Sequence, residues 1–129
     1  MDHMLLKDRV AMVTGGGRGI GEASARRLAE FGAKVILADL DLPSATAVAE
    51  DLRAHGMEAA PLEFNVTDFD HIEEKVAQAR SIFGRIDILV NVAGITGSTP
   101  IDQITHESWD RMMDTDLKSM FFVTQAVFA

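Results

Sequence analysis

Between Val10 and Gly21 the chain reads VAMVTGGGRGIG. A β-branched apolar run, Val10-Ala11-Met12-Val13-Thr14, halts at three successive glycines, and after Arg18 two more, Gly19 and Gly21, lead into a helical pattern. No other stretch restricts the fold as much, because it predicts a strand, a tight loop and a helix in immediate succession. Backbone without Cβ can approach a pyrophosphate, and the helix beyond offers unpaired N–H groups and the positive end of its dipole. The glycines fall as G-x-x-x-G-x-G at Gly15, Gly19 and Gly21, not as the G-x-G-x-x-G of the general dinucleotide fingerprint. A glycine-rich turn without a ligand is the alternative, so the rest of the chain must decide.

That remainder alternates strand and helix without repeats or a linker, in units of about thirty residues, as a βαβ crossover requires. With 129 residues the chain is expected to form one domain, residues 1–129. The first helix is expected from Ile20 to Phe31, with Ile20, Ser24, Leu28 and Phe31 on one face and Gly32 as its cap. Small residues, Ala23 and Ala25 among them, would set it against a sheet. Lys34 to Asp39 is an unbroken apolar run ending in an acid, suited to a parallel strand buried on both faces. Pro43 fits the first turn of a second helix that carries Ala45, Val48 and Leu52 inward and ends at Gly56. The third strand is expected at Ala60 to Asn65, where Pro61 favours an edge position. Thr67 and Asp70 suggest a capping box for a helix bearing Phe69, Ile72, Val76, Ala79 and Phe83, ended by Gly84. The fourth strand is Ile86 to Asn91, and Thr105 caps a last helix that runs to Phe128.

Two polar positions at strand ends bear on ligand binding. Asp39 lies 18 residues beyond Gly21, close to the spacing at which a carboxylate meets an adenosine ribose. Its oxygens can accept from the 2′- and 3′-hydroxyls, whereas a 2′-phosphate would meet like charge, which favours NAD over NADP. Only Leu40 and Asp41 follow it, although Arg18 in the loop could reach a 2′-phosphate, and Asp39 could also simply cap a turn. Asn91, followed by Val92-Ala93-Gly94, either lets a ligand press on the backbone at a strand's carboxyl end or satisfies turn amides.

Composition excludes several other classes. Twelve basic against twenty acidic residues give a net charge of −8, which argues against nucleic acid and anionic membrane surfaces as partners. The absence of cysteine removes disulfides, thiolate zinc sites and thiol nucleophiles. His3, His55, His71 and His106 are scattered singly, so no metal site is expected. With no signal-peptide pattern and no run of apolar residues long enough for a membrane span, a cytoplasmic protein is the default. Met1 to Met4 carry no weight in the fold.

Together, Thr14-Gly15-Gly16-Gly17-Arg18-Gly19-Ile20-Gly21, Asp39, Asn65-Val66-Thr67 and Asn91-Val92-Ala93-Gly94 resemble, in order and spacing, the short-chain dehydrogenase/reductase family. The resemblance runs from about Leu6 to Ala129 and implies an α/β fold. Its Rossmann-type, doubly wound parallel sheet would have the strand order 3-2-1-4. It implies that Gly15, Arg18, Gly19, Ile20 and Gly21 hold the pyrophosphate of NAD, and that Asp39, with Leu40 beside it, meets the adenosine ribose. Asn65 and Val66 would meet the adenine, and Asn91, Ala93 and Gly94 would line the middle of the groove. Many relatives carry aspartate in place of Asn65, and a second asparagine in place of Val92.

The last helix departs further. Trp109, Met112, Asp116, Met120 and Val123 fall on one helical stripe, which sets a carboxylate among apolar side chains. Family members usually carry asparagine at that point, as part of a catalytic proton relay. Asp116 is therefore either an altered relay residue or an acid at the stripe's edge that reaches solvent or a backbone N–H.

The family's hydride chemistry needs a tyrosine hydroxyl as acid and base, a lysine four residues later and a serine on the preceding strand. This sequence has no tyrosine. Ser98, Ser119, Lys118 and His106 are present, but nothing in the sequence sets a lysine beside a proton donor. By the family's pattern the chain corresponds to the cofactor-binding half, truncated before the catalytic half, with a small-molecule substrate only in a longer parent. A nonenzymatic NAD-binding or subunit-assembly module is the alternative, and an enzyme using Asp116 or His106 as its acid is a third reading. An open fourth strand and a Met- and Phe-rich helix predict a homo-oligomer joined through residues 105–128, the strand edge, or both.

Overall fold

The computed structural model describes residues 4–94 and 99–129. Four parallel strands, β1 (Val10–Thr14), β2 (Lys34–Asp39), β3 (Ala59–Glu63) and β4 (Ile88–Asn91), form one sheet in the order β3-β2-β1-β4. The chain winds first toward β3, then crosses back to place β4 on the other side of β1. Register is set by pairs such as Met12 with Ile36, Met12 with Leu89 and Leu37 with Pro61.

Period-two alternation divides the core into two layers. Val10, Met12, Ile36, Ala38 and Leu62 point to one face, where helix α3 (Ile72–Phe83) adds Ile72, Val76 and Ala79, and helix α5 (Ser119–Phe128) adds Val123 and Val127. Ala11, Val13, Val35 and Leu37 point to the other. There helix α1 (Gly19–Glu30) contributes Ala25 and Ala29, and helix α2 (Leu42–Ala54) contributes Ala45, Val48, Ala49 and Leu52. The sheet is thus doubly wound, with β1 and β2 buried on both faces. Pro61 does lie on an edge strand, where its missing N–H costs no ladder bond.

Local differences from expectation have physical causes. On α1 the buried positions are Gly21, Ala25 and Ala29, whereas Ala23 is exposed and Ile20 is 75% exposed, because the close seat on the sheet admits only small side chains. The expected face of Ile20, Ser24, Leu28 and Phe31 instead lines an open groove with Val90. β4 is shorter than expected because the Asp87 carboxylate takes the Val10 N–H at 2.9 Å before the ladder begins. At the edge, all four β4 residues are only half-buried.

Thr67 does not cap the third helix. Its hydroxyl and its N–H both donate to Asn65 Oδ1, at 2.7 and 3.0 Å, and a short 3₁₀ turn, Phe69–His71, precedes α3. Asn65 thereby ends the third strand early, at Glu63. Asp41 caps α2, accepting from the Ser44 N–H and the Ser44 hydroxyl, and Pro43 lies in its first turn as expected.

Thr105 does cap the last helix, through a reciprocal pair with Ser108. That helix is α4 (His106–Met113), a π-helical segment Asp114–Lys118, and α5. Thr115 and Ser119 hydroxyls donate back to the carbonyls of Arg111 and Thr115, the side-chain bonding that loosens a helical ladder. The π segment shifts the helical phase, and of the expected apolar stripe only Val123 is fully buried. Trp109, Met112 and Met120 are exposed, and the buried line is Ser119, Val123 and Val127.

Candidate functional site

The carboxyl ends of the parallel strands all open on one side, and the singled-out residues gather there. Gly15 follows β1 and its N–H donates to Ala38 O at 2.7 Å. A Cβ on Gly15 would stand 3.0 Å from the Ala93 N, so the glycine loop leans on the backbone beyond β4. A Cβ on Gly21 would overlap the Gly15 carbonyl oxygen, which makes glycine obligatory where α1 starts against the loop. Gly19 has φ +57 with open space around it. Arg18 precedes α1 in extended backbone, and its side chain makes no cap hydrogen bond to the helix.

Asp39 joins the loop to β2. Its Oδ2 accepts from the Gly17 N–H and its Oδ1 from the Asp41 N–H, both at 2.9 Å. It therefore caps a turn and also pins the glycine loop. Each oxygen keeps a further lone pair for a ligand hydroxyl. Hydrogen bonds from Ser44, with a smaller contribution from Arg18, hold the neighbouring Asp41 carboxyl below its usual range. Leu40 is exposed beside Asp39.

After β3, Asn65 is exposed with its side-chain oxygen committed to Thr67, and Val66 is buried. Beyond β4 the Asn91 amide donates to Thr124 Oγ1 at 3.0 Å, tying the strand end to α5. Thr14, next to the glycine loop, accepts from the N–H groups of Val92 and Ala93 at 3.1 and 3.2 Å. The contacts of Thr14 and Thr124 escape sequence reasoning, because their partners lie 78 and 33 residues away. The only local sign is a polar residue closing an apolar run, Val10 to Val13 in one case and Met120 to Val123 in the other.

Asp116 lies in the π segment, half-buried, with Oδ1 2.5 Å from where a Cβ on Gly94 would stand. The structure thus brings Asp116 to the end of the same groove. The other polar groups named from the sequence do not converge on it as a set. Lys118 extends its ammonium over the Phe69 ring, 4.3 Å from the centroid, and the Ser119 hydroxyl is bonded to Thr115 O. His106 is exposed at the start of α4. Ser98 and His3 lie outside the described residues.

A glycine loop between a buried parallel strand and a helix N-terminus, with a carboxylate at the end of the next strand, defines a Rossmann-type nucleotide-binding fold. The close backbone approaches at Gly15, Gly17 and Gly21 leave no room for side chains in the loop. The family model of the short chain dehydrogenases matches residues 9–129, and the chain belongs to that family.

Galactitol 2-dehydrogenase of Agrobacterium fabrum is 44% identical over 124 residues, covering 96% of this chain and 47% of its own length. Gluconate 5-dehydrogenase of Gluconobacter oxydans is 39% identical, covering 98% and 49%. Among solved structures, that of gox2181 superposes with a TM-score of 0.91 at 40% identity, over 98% of this chain and 50% of that one. The chain spans about half the length of the curated relatives it matches. The family uses nicotinamide cofactors, NAD or NADP, and its members here are oxidoreductases. Among the described residues no helix is long and apolar enough to cross a membrane.

Proposed function

We propose that residues 1–129 form a single cofactor-binding domain of a short-chain oxidoreductase, selective for NAD over NADP and working in the cytoplasm. The parent reaction is hydride transfer between the cofactor and an alcohol or carbonyl substrate. NAD, when bound, supplies the hydride acceptor; the chain's residues grip and orient it. Gly15, Arg18, Gly19, Ile20 and Gly21 hold the pyrophosphate, Asp39 and Leu40 the adenosine ribose, and Asn65 and Val66 the adenine. Asn91, Ala93 and Gly94 line the groove toward the second nucleoside. The carrying observation is the Asp39 carboxylate, fixed by the Gly17 and Asp41 amides at the end of β2, where a 2′-phosphate would meet its charge.

These residues alone are not expected to turn over substrate. The sequence has no tyrosine to carry the proton that must accompany hydride transfer, and neither Lys118 nor Ser119 is placed to replace it. We further propose self-association through the α5 face. There Leu117, Met120, Phe121 and Phe128 are exposed around an apolar groove of about 570 Å³, and the β4 edge offers a second contact.

Calorimetry with NAD, ADP-ribose and NADP tests the cofactor assignment. NAD and ADP-ribose should both bind, with NADP about tenfold weaker or more, a difference of about 1.4 kcal/mol. Equal binding of NADP would refute the assignment of Asp39. Light scattering at tens of micromolar tests self-association; a monomer there would refute it.

A further inference from the structure

Where the glycine loop meets α2, the contact is built around Asp41. A Cβ on Gly17 would stand 2.9 Å from both the Ala45 N and the Ser44 Cβ and 3.0 Å from Asp39 Oδ2, so the start of α2 and the Asp39 carboxylate reach the loop at one point. The donors of Ser44 and Ala45 are all committed to Asp41. Its carboxylate accepts from the Ser44 N–H at 3.2 Å and the Ser44 hydroxyl at 2.6 Å, and its carbonyl accepts from the Ala45 N–H at 3.2 Å. Its own N–H goes to Asp39 Oδ1 at 2.9 Å, so both acids belong to one hydrogen-bonded turn. Arg18, the one basic residue between Val10 and Gly21, follows Gly17 directly, and its charge adds to the Ser44 bonds in keeping Asp41 ionised.

We propose that Asp41 is a second specificity-determining residue of the cofactor site, which helps Asp39 to exclude a 2′-phosphate from the adenosine ribose. The inference rests on the cofactor assignment above. A phosphate is held by hydrogen-bond donors and positive charge. At this turn Ser44 and Ala45 have no donor left to give, and Asp41 offsets the charge of Arg18. The effect is carried by the donors Asp41 occupies and by its charge, and it adds to the repulsion from Asp39. Removing Asp39 alone therefore leaves the site partly closed to NADP.

The test measures affinities of the 129-residue chain and of Asp41→Asn for ADP-ribose and for 2′-phospho-ADP-ribose. Asparagine caps a helix as well as aspartate does, so the variant loses the charge and keeps the turn. Affinity for 2′-phospho-ADP-ribose should rise about three- to tenfold, as removal of a unit charge near a phosphate in a partly solvated site implies, while ADP-ribose binds as before. That gain should shrink as salt rises from about 0.05 M to about 0.5 M. An unchanged ratio of the two affinities, or a gain that salt leaves alone, overturns the inference. Should the variant lose ADP-ribose, Asp41→Ser, which also caps, decides by the same ratio. Loss of ADP-ribose in both variants makes Asp41 a support of the loop alone, and the inference fails. If the unaltered chain binds no ADP-ribose, or binds the two ligands equally, the cofactor assignment itself fails and takes this inference with it.

Discussion

Thr14 at the end of β1 accepts a hydrogen bond from the Ala93 N–H at 3.2 Å, across 79 positions of sequence, with the Val92 N–H sharing the same hydroxyl oxygen. Thr14 is 1% exposed. One buried hydroxyl thus fixes how the segment leaving β4 meets the glycine loop, since Ala93 also abuts Gly15.

Replacing Thr14 with valine keeps the shape and removes the acceptor, leaving two backbone N–H groups unpaired in a half-buried place. Denaturant unfolding should show a loss of about 1–3 kcal/mol. ADP-ribose affinity should fall with it, because the loop loses its brace. A variant as stable as the unaltered chain would contradict the bracing role.

Gly21→Ala forces a methyl into the Gly15 carbonyl. Overpacking of this kind costs about 1–3 kcal/mol, and here the strain lands on the loop that would hold the pyrophosphate. Calorimetry should find ADP-ribose binding abolished. Gly56→Ala, with positive φ but far from the site, should lose stability and keep binding.

Asn91 and Thr124 tie β4 to α5. Single variants Asn91→Ala and Thr124→Val, and the double variant, form a thermodynamic cycle whose coupling should be about 0.5–1.5 kcal/mol by urea unfolding. Additive effects would mean that the contact contributes nothing.

Hydrogen bonding to Asp68, reinforced by its charge, raises the exposed His71 above its ordinary value of 6.5. A group whose value is raised on folding stabilises fully below the unfolded value and loses that contribution as pH climbs through the folded one. The thermal midpoint of the unaltered chain should therefore exceed that of His71→Gln at about pH 5–6, and the gap should close toward about pH 9. A gap that widens with pH would reverse the sign and refute the pairing.

The sequence by itself settled the order of elements, the crossing that yields 3-2-1-4, the edge placement of Pro61 and the Thr105 cap. Each depends on neighbours within a few residues, on period-two or period-3.6 patterning, or on family-wide spacing of motifs. It failed where packing decides. Which residues of α1 face the sheet depended on how closely the helix sits, and closeness favoured Ala25 and Ala29 over Ile20 and Leu28. The stripe through Trp109 and Met120 was displaced by a π segment that no local pattern announced. Asp39 gripping Gly17, Thr14 holding Ala93 and Asp116 standing over Gly94 are contacts between distant stretches of chain. Only the register of parallel strands and the phase of the last helix bring them within hydrogen-bond or van der Waals reach, so tertiary structure alone decided them.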